Sequence, residues 1–231
     1  MPTSDGSAGA ATPVVIAAIP VRNELEWTQP LVESLLATND ADQVWLFDNG
    51  STDGTLEWAT HLASTDARFT LSQRPTARLY GMWNEMVSRA SFIDDSMLAI
   101  LNNDIRLAPS ALRRMSLAMH SHDLGFVDPH KDDAGLGVVR AVPADWQQTT
   151  GYAFMLRSAF WAGEPYAIDP GLRIWWGDDD ISRRAQARGA RLCIVEGIGC
   201  FHAVSATEYP GHKRVDVEHD REYFHRIWND N

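Results

Sequence analysis

Short apolar runs alternate with helical patterns along the first half of the chain. The runs of strand length are residues 14–19 (VVIAAI), 43–47 (QVWLF), 69–71 and 97–101 (MLAIL). Apolar residues recur at helical spacing within residues 31–36, 56–62 and 79–90, and Pro109 suits the first turn of a fourth helix. A strand followed by a helix, repeated four times, predicts a mostly parallel sheet with helices on both faces.

The pattern changes after Met119. Residues 120–146 are rich in Gly, Asp, His and Pro, and their short apolar runs predict either edge strands at 125–127 and 137–142 or a loop that covers a substrate. The remaining predicted elements are strands at 151–156 and 192–195, a helix that ends at Gly189, and an amphipathic helix at 220–228 that packs back on the domain.

Length and composition narrow the class of protein. The 231 residues contain no internal linker, which favours one domain at 14–231 after a flexible tail at 1–13. The 45% hydrophobic and 22% charged content is typical of a soluble globular enzyme. A formal net charge of -11 disfavours a nucleic-acid partner without excluding it, because binding to a phosphate backbone needs clustered Lys and Arg.

The sequence also indicates a compartment. Two cysteines are too few for a disulfide scaffold and are consistent with a reducing environment. No apolar stretch approaches the roughly 20 residues that span a bilayer. The first residues lack the basic start and apolar run of a signal peptide. We therefore expect a cytoplasmic protein without a membrane span.

The fourth apolar run ends abruptly in Asn102, Asn103 and Asp104. In open α/β sheets, ligands bind at the carboxyl ends of the strands, where this triplet would lie. A carboxylate beside two amides can hold a hard divalent cation that carries a phosphate. The alternative is a simple turn, because Asn and Asp are favoured in turns and helix caps.

Polar bursts also follow the first two runs. Residues 20–24 (PVRNE) follow the first run, and Asn23 and Glu24 are expected to cap the next helix. Residues 48–55 (DNGSTDGT) follow the second run, where Asp48 could accept a hydrogen bond from a base N–H. A tight loop with Asp53 as N-cap would explain the second burst equally well, but the repetition favours a ligand-binding edge.

A second acidic cluster lies in residues 174–189 (IWWGDDDISRRAQARG). Asp178, Asp179 and Asp180 would occupy the first turn of a helix, where the helix dipole favours negative charge. Alternatively, one carboxylate desolvated by the two tryptophans has a raised pKa and acts as a general base. His202 follows a further apolar run. A lone His there is more often structural, but it could join Asp104 on one cation.

Together these motifs resemble the nucleotide-sugar glycosyltransferases of the GT-A fold, specifically the inverting family 2. The matching pieces are residues 20–24, residues 48–55, Gly81 with Asn84, residues 101–104 (LNND), residues 176–181 (WGDDDI) with Arg184, and His202. The resemblance implies a Rossmann-like α/β fold with a small antiparallel acceptor-side portion. It divides the domain into a nucleotide-sugar half at 14–106 and an acceptor half at 107–231.

The resemblance also implies roles for individual residues. The chain would transfer a sugar from a nucleotide-diphosphate sugar, of UDP type, to an acceptor hydroxyl with inversion. The residues implied in donor binding are Pro20, Val21, Arg22, Glu24, Asp48, Gly50, Ser51, Gly81, Asn84, Asn102 and Asn103. Asp104 and His202 would bind Mn²⁺ or Mg²⁺. The residues implied on the acceptor side are Trp175, Trp176, Gly177 and Asp180.

The catalytic base has two possible positions. Alignment on Gly177 makes Asp179 the base, whereas alignment on Asp180, Ile181 and Arg184 makes it Asp178, which we favour because the helix fixes the register better than one Gly. Two positions depart from the family pattern. Asn102 stands in the first place of the metal motif, and Arg22 replaces the usual aromatic residue of the first loop.

Two other classes of function compete with this interpretation. A nucleotidyltransferase would need a Gly-rich phosphate loop with a basic residue after the first strand, and PVRNE has no glycine. A non-catalytic sugar-nucleotide-binding protein is suggested only by Asn102, and the three carboxylates speak against it. The acceptor class stays open between a protein side chain, a glycan or lipid intermediate and a modified nucleobase, and the oligomeric state has no signal.

Overall fold

The computed structural model describes residues 12–130, 138–203 and 213–229. Its strands are β1 (Val14–Val21), β2 (Gln43–Asp48), β3 (Phe69–Gln73), β4 (Ser96–Leu101), β5 (Ile105–Leu107), β6 (Phe126–Pro129), β7 (Arg140–Pro143), β8 (Ala153–Arg157), β9 (Leu192–Glu196) and β10 (Cys200–His202). Its α-helices are α1 (Leu25–Ala37), α2 (Thr55–Thr65), α3 (Leu79–Ala90), α4 (Ala111–Ser121), α5 (Gly177–Ala187) and α6 (Lys213–Ile227).

The large sheet has the strand order β3-β2-β1-β4-β8-β6-β9-β7. Strands β3, β2, β1 and β4 are parallel, β8 is antiparallel to both β4 and β6, and β7 is antiparallel to β9 at the edge. Strands β5 and β10 form a separate antiparallel pair. This topology confirms the mostly parallel α/β sheet, and it brings the carboxyl ends of β1, β2, β4 and β6 to one side.

Helices cover both faces of the sheet. One apolar core joins the alternate residues Val15, Ala17 and Ile19 of β1 to helices α1, α2 and α4. The other core joins Ile16 and Ala18 to helices α3, α5 and α6. A strand buried on both faces reads as a continuous apolar run, which is why β1 was recognisable from the sequence.

Strand β1 is longer than predicted, because it continues through Pro20 to Val21. Its pairing with β4 ends at Ala18, whereas its pairing with β2 continues to Val21. The carbonyl of Val21 accepts a bond from Asn49 on the β2 side, so the backbone of Pro20 faces the side where β4 no longer pairs. The missing N–H of proline therefore leaves no gap in the sheet.

Other local predictions were also wrong. Neither Asn23 nor Glu24 caps α1 with its side chain; the N–H of Leu25 instead donates to Asp53 from the loop after β2, at 3.0 Å. Helix α4 begins at Ala111, after Pro109. The apolar run at 125–127 contributes to β6, which lies inside the sheet and not at its edge.

Some predicted features fall outside the described ranges, namely most of the tail at 1–13 and residues 131–137 of the long loop. Cys193 and Cys200 are both buried and are not joined in a disulfide. Among the helices that the structure describes, none has the length and apolar character needed to cross a bilayer.

Candidate active site

The loops after β1 and β2 are tied to each other at the carboxyl edge of the sheet. The Asn23 N–H donates to the Ser51 hydroxyl at 2.7 Å, and the Thr52 N–H donates to the Asn23 side-chain oxygen at 2.7 Å. Asn23 and Glu24 both have positive φ, at 63° and 67°. A glutamate rarely adopts this left-handed conformation, so the surrounding bonds must hold the turn in place.

Asp48 lies at the end of β2 and is buried. Its Oδ1 accepts bonds from the N–H groups of Gly50 at 3.0 Å and Ser51 at 3.1 Å. Its Oδ2 is buried and has no hydrogen-bond partner among the described residues. An unpartnered buried carboxylate oxygen is costly, so this atom is suited to accept an N–H from a ligand.

Asp104 and His202 meet at the end of β4. Antiparallel pairing of β10 with β5 places His202 opposite Ile105, and the Tyr152 ring stacks on the His202 ring at 4.8 Å. His202 Nε2 lies 3.1 Å from Asp104 Oδ1, and the two side chains are only 15% and 7% exposed. The predicted carboxylate and imidazole are therefore together, although they are far apart in the sequence.

This pair fits a divalent ion that is also held by a ligand. Oxygen and imidazole nitrogen are both accepted by Mn²⁺. Within the part of the chain that is described, no three His, Cys, Asp or Glu side chains are grouped as metal ligands. Ions that bind with a diphosphate usually take further ligands from water and from phosphate oxygens.

Several negatively charged side chains surround this pair. Burial raises the pKa of Glu24, and the charges of Glu26, Asp53 and Asp104 raise it further. Asn103, between the ends of β4 and β5, donates its side-chain N–H to the Thr28 hydroxyl of α1 at 3.1 Å. A bound cation would offset the repulsion among these carboxylates.

The start of α5 is fixed against α3. The Gly177 N–H donates to the Tyr80 hydroxyl at 3.0 Å. A Cβ at Gly177 would lie 2.2 Å from Tyr80 ring atoms, so no larger residue fits. Trp176, just before it, has a φ of 67° and stacks on Phe224 of α6 at 5.2 Å.

The three successive carboxylates of α5 have different environments. Asp180 is fully buried, and its oxygens accept bonds from the Asp169 N–H at 2.7 Å, the Arg184 Nε at 2.8 Å and the Trp228 indole N–H at 2.8 Å. These bonds join α5 to the preceding loop and to the end of α6. The resemblance implies an acceptor-side role for Asp180, and in the structure its side chain bonds α5 to the loop before it and to Trp228.

Asp178 is partly exposed and contacts the loop before β8. A Cβ at Gly151 would lie 2.8 Å from Asp178 Oδ2, so only glycine allows this approach. Burial raises the pKa of Asp178, against hydrogen bonds from its own N–H and that of Asp179. Burial also raises the pKa of Asp179, to about 7, with further increases from the charges of Asp178 and Asp180. A pKa of about 7 suits Asp179 to accept a proton near neutral pH, and the pKa of Asp178 is shifted in the same direction.

Sequence reasoning missed Asp128, which is buried at the end of β6. Its carboxylate accepts bonds from the Thr150 N–H at 2.5 Å and the Thr150 hydroxyl at 2.9 Å. Burial raises the pKa of Asp128 well above its usual range, and the charge of Asp178 raises it further. The charge of Asp178 therefore acts on Asp128, so the two carboxyl groups lie near each other. As a single carboxylate outside any motif, it gave no sequence signal.

Three other predicted residues lie on α3 and in the segment before α5. Gly81 is exposed on α3, with open space where a Cβ would be. The Asn84 side chain accepts bonds from the N–H groups of Ala167 and Ile168 and donates to the Ile168 carbonyl, so it fixes that loop. Trp175 is 43% exposed, which is unusual for so large an apolar side chain.

The raised pKa of Asp179 predicts a pH-dependent stability. At low pH the Asp179 carboxyl is protonated in the folded and in the unfolded chain. As pH rises from 3.8 towards about 7, the carboxyl of the unfolded chain ionises first, so the free energy of unfolding decreases. At pH values above 7, we expect Asp179→Asn to have a higher Tm than the wild type. At about pH 4, the two proteins should have the same Tm. Thermal unfolding of both proteins across this range measures the effect, and a lower Tm for the variant at alkaline pH would contradict it.

Comparison with known proteins gives a consistent family match. Residues 16–170 match the model described as glycosyl transferase family 2. The matched segment contains Asp48 and Asp104 and ends before Asp178 and His202. None of the curated proteins compared with the chain matches it.

Solved structures share the fold at low sequence identity. GalNAc-T7 with UDP, GalNAc and Mn²⁺ aligns with a TM-score of 0.63 and 16% identity, over 83% of this chain and 44% of its own. The Pyrobaculum calidifontis mannosyltransferase PcManGT with GDP-Man and Mn²⁺ aligns at 0.68 and 17%, over 96% and 66%. S. aureus TarS residues 1–349 with UDP-GlcNAc align at 0.61 and 13%, over 86% and 60%. The chain thus spans less than half of GalNAc-T7.

Proposed function

Because the chain belongs to glycosyl transferase family 2 and has its GT-A type fold, we propose that it transfers a sugar from a nucleotide-diphosphate sugar to an acceptor hydroxyl with inversion. The observation that carries this proposal is the contact between Asp104 and His202 at the carboxyl ends of the strands. The loops after β1 and β2, which are hydrogen-bonded to each other, lie beside it. This carboxylate and imidazole are suited to a metal ion that carries the diphosphate. Asp48, at the end of β2, is suited to the nucleobase.

The donor would lie along this edge. Asp48 accepts an N–H of the base, of uracil in a UDP-type donor, through the unpartnered Oδ2. The residues that would surround the nucleotide are Pro20, Val21, Arg22, Glu24, Gly50 and Ser51. The two loops are already ordered by the bonds between them, so little conformational freedom is lost when the donor binds.

Asp104 and His202 would hold Mn²⁺ or Mg²⁺ together with the diphosphate, and Asn102 is a neutral ligand at best. A divalent ion at this position offsets the negative charge that develops on the departing diphosphate. The solved structures of GalNAc-T7 with UDP, GalNAc and Mn²⁺ and of PcManGT with GDP-Man and Mn²⁺ support the proposal for this chain.

Asp178 is the proposed general base, and Asp179 is the second candidate. The base removes the proton of the acceptor hydroxyl as its oxygen attacks the anomeric carbon from the face opposite the diphosphate. One such displacement inverts the anomeric centre. Burial raises the pKa of both carboxyl groups, which makes each a stronger base than an exposed aspartate.

The acceptor would approach past the two tryptophans and Gly177. Trp175 offers an exposed ring to the acceptor, and an aromatic face suits stacking on a sugar ring. The Trp176 ring stacks on Phe224, so it would support the position of Trp175 instead of contacting the acceptor itself.

Binding of the donor can be tested before its sugar is known. A panel of nucleotide sugars, each with and without Mn²⁺, should include one that raises the Tm by mass action, and more strongly with the metal. Asp48→Ala should lose most of this stabilisation, because it removes the proposed partner of the base. Asp66→Ala, a carboxylate paired with Arg68 on the surface, is the control and should keep it. If no nucleotide sugar stabilises the protein but a nucleoside triphosphate together with a sugar phosphate does, the result would instead indicate a nucleotidyltransferase.

A further inference from the structure

Helix α6 carries a buried carboxylate that faces the loop before α5. Asp220 has no exposed surface. Its Oδ2 accepts bonds from the N–H groups of Ile174 and Trp175, both at 2.9 Å, and the Arg173 N–H lies 3.1 Å from each oxygen. Three successive backbone donors thus converge on one side chain.

These bonds satisfy a charge that would otherwise be costly to bury. Hydrogen bonds from N–H groups to a carboxylate are stronger than those between neutral groups, and three of them compensate much of the desolvation. They also fix the backbone of residues 173–175, directly before Trp176 with its positive φ. The exposed Trp175 ring is therefore carried by an ordered segment.

The same face of α6 continues along the acceptor side. Phe224, one turn after Asp220, stacks on Trp176. Trp228, one turn further, donates its indole N–H to Asp180 of α5 at 2.8 Å. Residues at i, i+4 and i+8 lie on one face of a helix. One stripe of α6 therefore contacts the aromatic pair and the helix that carries Asp178.

We propose that Asp220 is a positioning residue for the acceptor half of the reaction. By holding residues 173–175, it sets the position of Trp175 and of the first turn of α5, and thereby the distance between Asp178 and the acceptor hydroxyl. This inference rests on the proposed transferase function. Within the described ranges, Asp220 is hydrogen-bonded to residues 173–175 and to His219 and not to the loops after β1 and β2, so its effect should fall on the acceptor and not on the donor.

The test compares Asp220→Asn and Asp220→Ala with Glu222→Gln, an exposed change on the same helix that removes the same charge as the Asn variant. We expect kcat/KM for the acceptor to fall about 10- to 100-fold in the Ala variant and less in the Asn variant, because small misplacements are costly. The Kd of the donor should stay at the wild-type value. Glu222→Gln should behave as the wild type.

Hydrogen exchange gives a measurement that does not require turnover. The amides of Ile174 and Trp175 should exchange faster in both Asp220 variants, while amides of β1 and β2 keep their protection. Unchanged exchange at these amides, or an equal loss of donor and acceptor binding, would overturn the proposal. If the wild-type protein binds no nucleotide sugar, the proposed function fails, and the exchange result still decides whether Asp220 holds the loop.

Discussion

Replacing Asp178 with asparagine is expected to lower kcat for sugar transfer by about 10²- to 10⁴-fold, the range that a general base contributes. Asparagine has nearly the same size but cannot take up the proton of the acceptor hydroxyl. The donor should still bind with the wild-type Kd, because Asp178 lies on α5 and the donor loops follow β1 and β2. Steady-state kinetics together with calorimetric titration of the donor measures both quantities.

Asp179→Asn is the matched comparison, since it makes the same change one residue along the helix. A smaller loss in this variant supports Asp178 as the base, and a larger loss moves the role to Asp179. Full activity in both single variants would remove the assignment of a carboxylate base to α5. Thermal unfolding at the assay pH separates these results from a loss of folded protein.

Asp104→Asn is expected to lower kcat/KM for the donor by at least about 100-fold, because a bound divalent ion supplies several kcal/mol of charge stabilisation. The carboxylate is one of two protein groups that would hold the ion, and the amide that replaces it is a weaker ligand. The rise in donor affinity on addition of Mn²⁺ should disappear in the variant. Titration of the donor at several Mn²⁺ concentrations gives the result.

Asp123→Asn is the control for this experiment. Asp123 is exposed, has positive φ, and precedes the amino end of β6, away from the carboxyl ends of the strands where Asp104 lies, so asparagine should be accepted there without effect on the donor. A wild-type enzyme whose transfer rate is unchanged by EDTA would contradict the metal proposal. Such a result would leave the base assignment on α5 intact.

The main sheet was predictable because its signals are local. Each of β1, β2 and β4 is an apolar run long enough to recognise, and the helical repeats between them require parallel crossovers. The pair β5 and β10 was not predictable as a pair, since each strand has three residues and the partners are remote in the sequence. Their pairing is nevertheless what brings His202 to Asp104.

The site was predictable where its chemistry forms a motif. Asp48 and Asp104 lie at strand ends as expected from the polar bursts. The three aspartates of α5 could not be distinguished, because successive helical residues point in different directions and only packing decides that Asp180 is enclosed while Asp178 and Asp179 stay partly exposed. Asp128 lies outside any motif, and Asp220 is one of several acidic residues between 216 and 222, so only tertiary contacts distinguish them.

The bonds between the loops after β1 and β2 have a consequence for the design of new donor specificities. Asn23 and Ser51 each serve the backbone of the other loop, and Asp53 takes the place of a local cap at the start of α1. The two loops therefore have to be replaced together. If residues 22–24 alone were grafted from a relative, the hydroxyl of Ser51 and the carboxylate of Asp53 could lose their hydrogen-bond partners. A graft that also includes residues 49–54 would transfer both partners of each bond.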